Sequence, residues 1–166
     1  DFTRSLSAYA DINVVITSKI VEEFEVNLAT LPQIDILLLD INLPGNSGLE
    51  ALPRLKDKLP NTSIIMFTVV EDEESLIRAI SYGAVGYIVK EVDFEQLYHY
   101  IVLQYGGGSA LSSKVARRIF DLVSGQQKVA DLLNEKEYLI LQLLADGWSY
   151  KLIADRTDLS EDGVRL

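Results

Sequence analysis

The sequence predicts an α/β fold, a parallel sheet wrapped by helices, followed by a small all-α unit. Three observations predict it. Short β-branched and aliphatic runs alternate with helix-spaced stretches up to about residue 105. Ile36-Leu37-Leu38-Leu39 is an unbroken apolar run, as in a strand buried on both faces of a sheet. From Leu133 onward only helical patterning remains.

The elements follow in order. Phe2, Leu6, Tyr9 and Ala10 share a helical spacing over residues 2–10. Ile12 to Thr17 reads as a short strand. Val21 to Leu31 is a helix stopped by Pro32. Asp35 to Asp40 is a strand, and Leu43-Pro44-Gly45-Asn46-Ser47-Gly48 a loop. A helix then runs to about Leu59, with Pro53 tolerable only near its first turn. Ser63 to Thr68 is a strand. Asp72 to Tyr82 is a helix with an acidic first turn, suited to the helix dipole, and Gly83 closes it. Ala84 to Val89 is a strand and Phe94 to Tyr105 a helix. Gly106-Gly107-Gly108-Ser109 marks a boundary, and Ser112 to Val123 an amphipathic linking helix. Asn134 with Glu137 forms a capping box for a helix from Glu135 to Ala145. A turn at Asp146-Gly147-Trp148-Ser149 leads to a helix from Tyr150 to about Thr157, and Ser160 caps a third. Two helices joined by a short turn, with another beginning at once, give a helix-turn-helix layout. The expected divisions are 1–105, a linker at 106–133, and 134–166.

Bulk composition narrows the function. Hydrophobic residues make up 48%, enough for a buried core. There is no cysteine, which excludes disulfides and thiolate metal sites and fits a reducing, cytoplasmic setting. The apolar runs are too short to span a bilayer, so no membrane partner is expected, and no secretion leader is visible. A net charge of -10 argues against a surface that binds nucleic acid throughout, while leaving room for one small contact face.

Asp40, Thr68 and Lys90 stand at the ends of three successive strands. In a parallel sheet those ends share one edge, where ligands bind. Singly, each has an ordinary explanation: a turn-forming Asp, a Thr of good strand propensity, a solvated Lys. Together they have a coherent chemistry. A carboxylate attacks a phosphoryl group, an ammonium pairs with a phosphoryl oxygen, a hydroxyl donates to another, and a divalent ion neutralises charge.

Asp40-Ile41-Asn42-Leu43-Pro44-Gly45-Asn46-Ser47-Gly48 resembles the phosphorylation loop of response-regulator receivers. Ile64-Ile65-Met66-Phe67-Thr68 resembles their fourth strand, and Gly83-Ala84-Val85-Gly86-Tyr87-Ile88-Val89-Lys90 their fifth. The resemblance covers residues 1–105 and implies a flavodoxin-like (CheY-like) sheet of order 2-1-3-4-5. It implies that Asp40 takes phosphate from a histidine kinase, that Lys90 holds the phosphoryl group, and that Thr68 moves toward it while Tyr87 turns inward. Asp40 and the Asn42 backbone carbonyl would bind Mg²⁺. The output would be a shift between two existing states, read on the surface of the fourth helix, fifth strand and fifth helix, near Tyr82, Tyr98 and Tyr100. His99, the sole histidine, is expected at the surface. Receivers open with a strand ending in an acidic metal-binding pair. Asp1 already falls at the first helix, so strand and pair are expected outside this sequence, in a longer protein. The segment 12–17 would then lack its sheet neighbour.

Leu133-Asn134-Glu135-Lys136-Glu137, the stretch Leu143 to Ala154, and Leu159 to Arg165 resemble a LuxR-type helix-turn-helix. With the receiver, this points to the NarL/FixJ group, hence to promoter DNA as partner and a homodimer. Lys151 is expected on phosphate, Arg165 toward the groove, and Trp148 as a plug in the turn. Gly163 departs from the usual Thr, and residues 134–166 carry seven acids against four bases, a poor charge for DNA. The expected function is therefore phosphorylation-controlled transcription regulation. The alternative is a phosphorylation-independent receiver acting as a dimerisation or partner-binding module. An enzyme is not expected, because no glycine-rich loop follows a strand as nucleotide binding would require.

Overall fold

The structure, a computed structural model, describes residues 2–125, 135–160 and Val164. The helices are α1 (Phe2–Leu6), α2 (Val21–Asn27), α3 (Gly48–Lys58), α4 (Glu73–Ser81), α5 (Phe94–Tyr105), α6 (Ser113–Gly125), α7 (Glu135–Ala145) and α8 (Tyr150–Thr157). The strands are β1 (Ile36–Leu39), β2 (Ser63–Thr68) and β3 (Gly86–Val89). They form one parallel sheet in the order β1-β2-β3. Leu39 pairs with Met66 and Thr68 with Val89.

Alternation along β2 explains the layers. Ile64 and Met66 face a core with Val21, Phe24, Leu52, Leu55 and Leu76 from α2, α3 and α4. Ile65 and Phe67 face the opposite core, with Leu6 and Leu97 from α1 and α5. Asp72 and Asp93 cap α4 and α5, and Asp93 forms a full capping box with Gln96. Gly83, at φ +92°, turns the chain out of α4.

Several expected elements are changed. Residues 12–17 form no strand. Among the described residues no strand pairs with the outer edge of β1, so this segment has no ladder to join. The Ile12 amide donates to the Tyr9 carbonyl at 3.2 Å, and packing holds the rest: Ile12 and Val14 lie against one core, Val15 and Ile16 against the other. The first helix stops at Leu6, and Tyr9 continues in turns, with its ring stacked on Tyr98 at 3.9 Å. The second helix ends at Asn27 and tightens into a 3₁₀ turn over Leu28–Thr30. Pro32 is the cause, since Leu31 must be extended before it. Pro53 lies past the first turn of α3, so the Leu49 carbonyl lacks its usual helical donor.

The chain beyond the glycine run returns to the sheet. The Tyr87 amide donates to the Ala110 carbonyl (2.8 Å), and the Ser112 amide to the Tyr87 carbonyl (3.2 Å). Residues 110–112 thus line the free edge of β3. Helix α6 follows, with Val115 in the receiver core and Ala116 in a second core formed with Ile140, Leu143, Leu144, Ile153, Ala154 and Val164. The helix-turn-helix elements α7 and α8 match the expected spans, and Gly147 takes φ +81° in the turn between them. The capping role expected of Asn134 lies outside the described residues.

Candidate functional site

Each expected strand-end residue arrives where the register puts it. Asp40 follows β1, Thr68 ends β2, and Lys90 follows β3. The Lys90 Nζ lies 2.6 Å from Asp40 Oδ2. Thr68 is fully buried beside the same carboxylate, and its hydroxyl helps hold the Asp40 carboxyl low. The Asn42 amide donates to Asp40 Oδ1 at 3.2 Å. Burial pushes the Asp40 carboxyl up. The hydrogen bonds from Lys90, Thr68 and Asn42 more than offset this and hold it below its ordinary value. Asp40 is therefore an ionised, partly exposed carboxylate in contact with a cation.

The loop after β1 is shaped around this carboxylate. Ser47 caps α3 by accepting from the Leu49 amide, and the Gly48 amide reaches back to the Ile41 carbonyl at 3.1 Å. The Asn46 amide donates to Glu22, tying the loop to α2. Gly48 is required by close approach: a Cβ there would sit 1.9 Å from the Asp40 carbonyl oxygen.

Tyr87 is buried, with 2% of its surface exposed. Its hydroxyl donates to the Val70 carbonyl at 2.8 Å, while the Val70 amide donates to Thr68 Oγ1 at 3.2 Å. The backbone of one residue, Val70, thus links Thr68 to Tyr87 through the two peptide groups that flank its Cα. Burial pushes the Tyr87 hydroxyl up to about 12, so it stays a neutral donor. Beneath the ammonium, the Phe67 ring centroid lies 5.3 Å from Lys90 Nζ.

Sequence reasoning missed Phe67, Val70 and the tight approach of Gly48. A glycine directly after a capping serine was the only available signal, for Gly48. The outlying residues behave as follows. Tyr98 donates to Asp11 at 2.8 Å, Tyr82 lies under Arg78, and His99 is exposed beside Glu95. Lys151 is exposed at the start of α8. Arg165 lies outside the described residues. Trp148 is not a buried plug: it is 37% exposed, with the Arg156 guanidinium 5.4 Å from its ring, because the turn's core position is filled by Ile153 and Val164.

Among the described residues, no three acidic or histidine side chains converge on one point. The acidic donor set described at the site is the single Asp40 carboxylate. That set suits an ion which keeps most of its water, as Mg²⁺ does, and not a dedicated protein cage. Among the described residues, no helix is long and apolar enough to cross a membrane.

Comparison with known proteins agrees with this geometry. The response regulator receiver domain family matches residues 3–102. The nitrate/nitrite response regulator NarL of Escherichia coli K12 is 32% identical over 136 residues, covering 80% of this chain and 63% of NarL. The chain thus spans under two thirds of that relative's length. The oxygen regulatory protein NreC of Staphylococcus epidermidis is 32% identical over 170 residues, covering 96% of this chain and 77% of NreC. The fold is also that of the RcsB response regulator of Salmonella typhimurium, with a TM-score of 0.67 at 21% identity, covering 98% of this chain and 79% of RcsB. A carboxylate, a hydroxyl and an ammonium gathered at three adjacent strand ends, and a match across the sheet that gathers them, place the chain in the response regulators of the NarL/FixJ group.

Proposed function

We propose that Asp40 accepts a phosphoryl group from a phosphohistidine of a sensor kinase, and that the resulting switch controls binding of promoter DNA by the helix-turn-helix. The observation that carries this is the convergence of Lys90 and Thr68 on the Asp40 carboxylate. An Asp40 oxygen attacks phosphorus, the P–N bond breaks, and the imidazole leaves with the bonding pair. Lys90 exchanges part of its contact with Asp40 for a phosphoryl oxygen, and Thr68 donates to another. Asp40 and the Asn42 carbonyl would hold Mg²⁺, which when bound neutralises charge on the phosphoryl oxygens. Because Thr68 and Tyr87 both bond the backbone of Val70, one at its amide and the other at its carbonyl, movement of the first is passed to the second. This chain is then a cytoplasmic regulator, with residues 106–133 as linker, residues 134–166 as DNA-binding unit and a homodimer as working form. Lys151 is assigned to DNA phosphate and Arg165 to the groove.

The test uses the full chain with Mg²⁺ and acetyl phosphate. One labile phosphoryl group is expected, and Asp40→Asn should abolish it. Unchanged labelling in that variant refutes the assignment. A promoter gel-shift that is the same with and without phosphate would instead support the second reading, a phosphorylation-independent module. That reading is favoured by one observation: Tyr87 is already inward, with 2% of its surface exposed.

A further inference from the structure

Helix α6 carries Lys114, Arg117 and Arg118 against one acid, Asp121, in a chain of net charge -10. It stands between the two units: Val115 belongs to the receiver core, Ala116 to the helical core, and Leu111 packs against both. Lys114 Nζ lies 2.6 Å from Glu71 Oε2 and 3.3 Å from Glu91 Oε2. Glu71 is in the loop leaving β2, after Thr68, and Glu91 directly follows Lys90. One ammonium from the linker helix therefore ties together the two loops that follow Thr68 and Lys90, beside Asp40. Glu71 Oε2 is closed off from solvent and has no partner in hydrogen-bond geometry, so the Lys114 ion pair is what meets its charge. Arg118, one turn along the same helix face, acts on Glu71, Asp72 and Tyr87 through its charge. The phosphoryl chemistry described above uses neither Lys114 nor the two glutamates.

We propose that Lys114 is a positioning residue: by clasping Glu71 and Glu91 it sets the spacing of the two loops, and so how readily Thr68 and Lys90 receive a phosphoryl group on Asp40. This rests on the reading of Asp40 as phosphoacceptor. The route is short. Val70, which bonds both Thr68 and Tyr87, directly precedes Glu71. A shift of Thr68 is therefore passed along the backbone to the carboxylate that Lys114 holds. Coupling is reciprocal, so the docking of α6 biases phosphorylation as much as phosphorylation biases α6. An exposed ion pair is usually weak because water competes for both partners. Here one cation serves two carboxylates on separate loops, with one oxygen shielded, so the contact senses their separation.

The test has two arms on the full chain. In the first, without phosphodonor, hydrogen exchange is followed by mass spectrometry. Lys114→Gln should speed exchange in α6 and in the loops after Thr68 and Lys90 by roughly 3- to 10-fold, while Lys114→Arg stays near wild type. Unchanged exchange in Lys114→Gln overturns the clasp, whatever happens at Asp40. In the second, acetyl phosphate labels Asp40. Lys114→Gln should alter the labelling rate by at least about 3-fold, while Lys114→Arg, which keeps a cation for both glutamates, should stay near wild type. Altered exchange with an unaltered labelling rate overturns the positioning role and leaves the phosphoacceptor reading standing. Failure of the wild type to label overturns both.

Discussion

Substituting Gly48 by alanine tests the link between the loop and the carboxylate it carries. Alanine in a helix is ordinarily worth about 1 kcal/mol over glycine, and Gly48 opens α3, so local propensity alone forecasts a gain. The structure forecasts a loss. The new Cβ would lie 1.9 Å from the Asp40 carbonyl oxygen, 2.9 Å from its carbon and 3.1 Å from Leu39 Cγ. The first two are backbone atoms and cannot swing away. Overpacking of this kind costs about 1–3 kcal/mol or more, and the upper end applies where backbone must move. The helix gain offsets only part of it, leaving a net loss of roughly 2 kcal/mol. With a urea dependence of about 1–3 kcal/mol per molar, the unfolding midpoint should fall by about 1 M. Relief of the clash also shifts Asp40 relative to Lys90 and Thr68, and a displacement of about 1 Å can cost on the order of 100-fold in rate. Acetyl phosphate labelling of Gly48→Ala should slow accordingly, even where the folded fraction is complete. A midpoint at or above wild type, with an unchanged labelling rate, would show that α3 does not begin against the Asp40 backbone.

Other outcomes follow from single contacts. Tyr87→Phe removes the donor to the Val70 carbonyl and should cost about 1 kcal/mol in chemical denaturation. Combined with Thr68→Val, its effect should be non-additive by about 0.5 kcal/mol or more, since both groups bond the Val70 backbone; strict additivity would break the relay. Gly86→Ala would set a Cβ 2.8 Å from the Ala110 carbonyl oxygen, so limited proteolysis should cut the linker faster in that variant. Burial raises Glu25, but hydrogen bonds from Lys58 and Arg54, with their charges, bring it below its ordinary value of 4.5. A carboxyl lowered on folding contributes stability above its unfolded value, and that contribution fades as pH falls through the folded value. The stability gap between wild type and Glu25→Gln should therefore be full near neutrality and close as pH falls through the folded value, which lies below 4.5. A gap that persists there would mean that packing, not charge, holds Glu25.

The sheet and its site were legible because their signals are local. Ile36-Leu37-Leu38-Leu39 can hardly be anything but a doubly covered strand, and three polar residues at consecutive strand ends must meet once the strands are parallel. What escaped was set by neighbours. Ile12 to Thr17 has the composition of a strand, yet pairing requires a partner ladder, and none lies beside it among the described residues. Trp148 looked like a plug because it is large and apolar, but Ile153 and Val164 fill the turn's core and leave its ring to Arg156. The Gly106–Gly108 run looked like a free boundary. In the fold the next residues join the edge of β3, because that edge offers unpaired backbone groups to Ala110 and Ser112. Val70 could not have been found at all, since it acts through its peptide group and any residue but proline presents one.

Magnitudes decide what the linker contact can do. Moving a two-state equilibrium from 1:99 to 99:1 requires about a 10⁴-fold difference in affinity between the states. Ion pairs with solvent access change an equilibrium by only a few fold each. Lys114 and Glu71 retain 46% and 36% side-chain exposure, so their clasp tunes and cannot lock. The larger share must come from apolar contact, and Val115 is where α6 supplies it, at 2% exposure in the same core as Tyr87. A rearrangement of Thr68, Val70 and Tyr87 strong enough to free the helix has to disturb that packing as well. The ion pairs then sense the loops, and the buried valine carries the force. Phosphorylation that moved the loops without loosening Val115 would break the clasp and leave α6 in place.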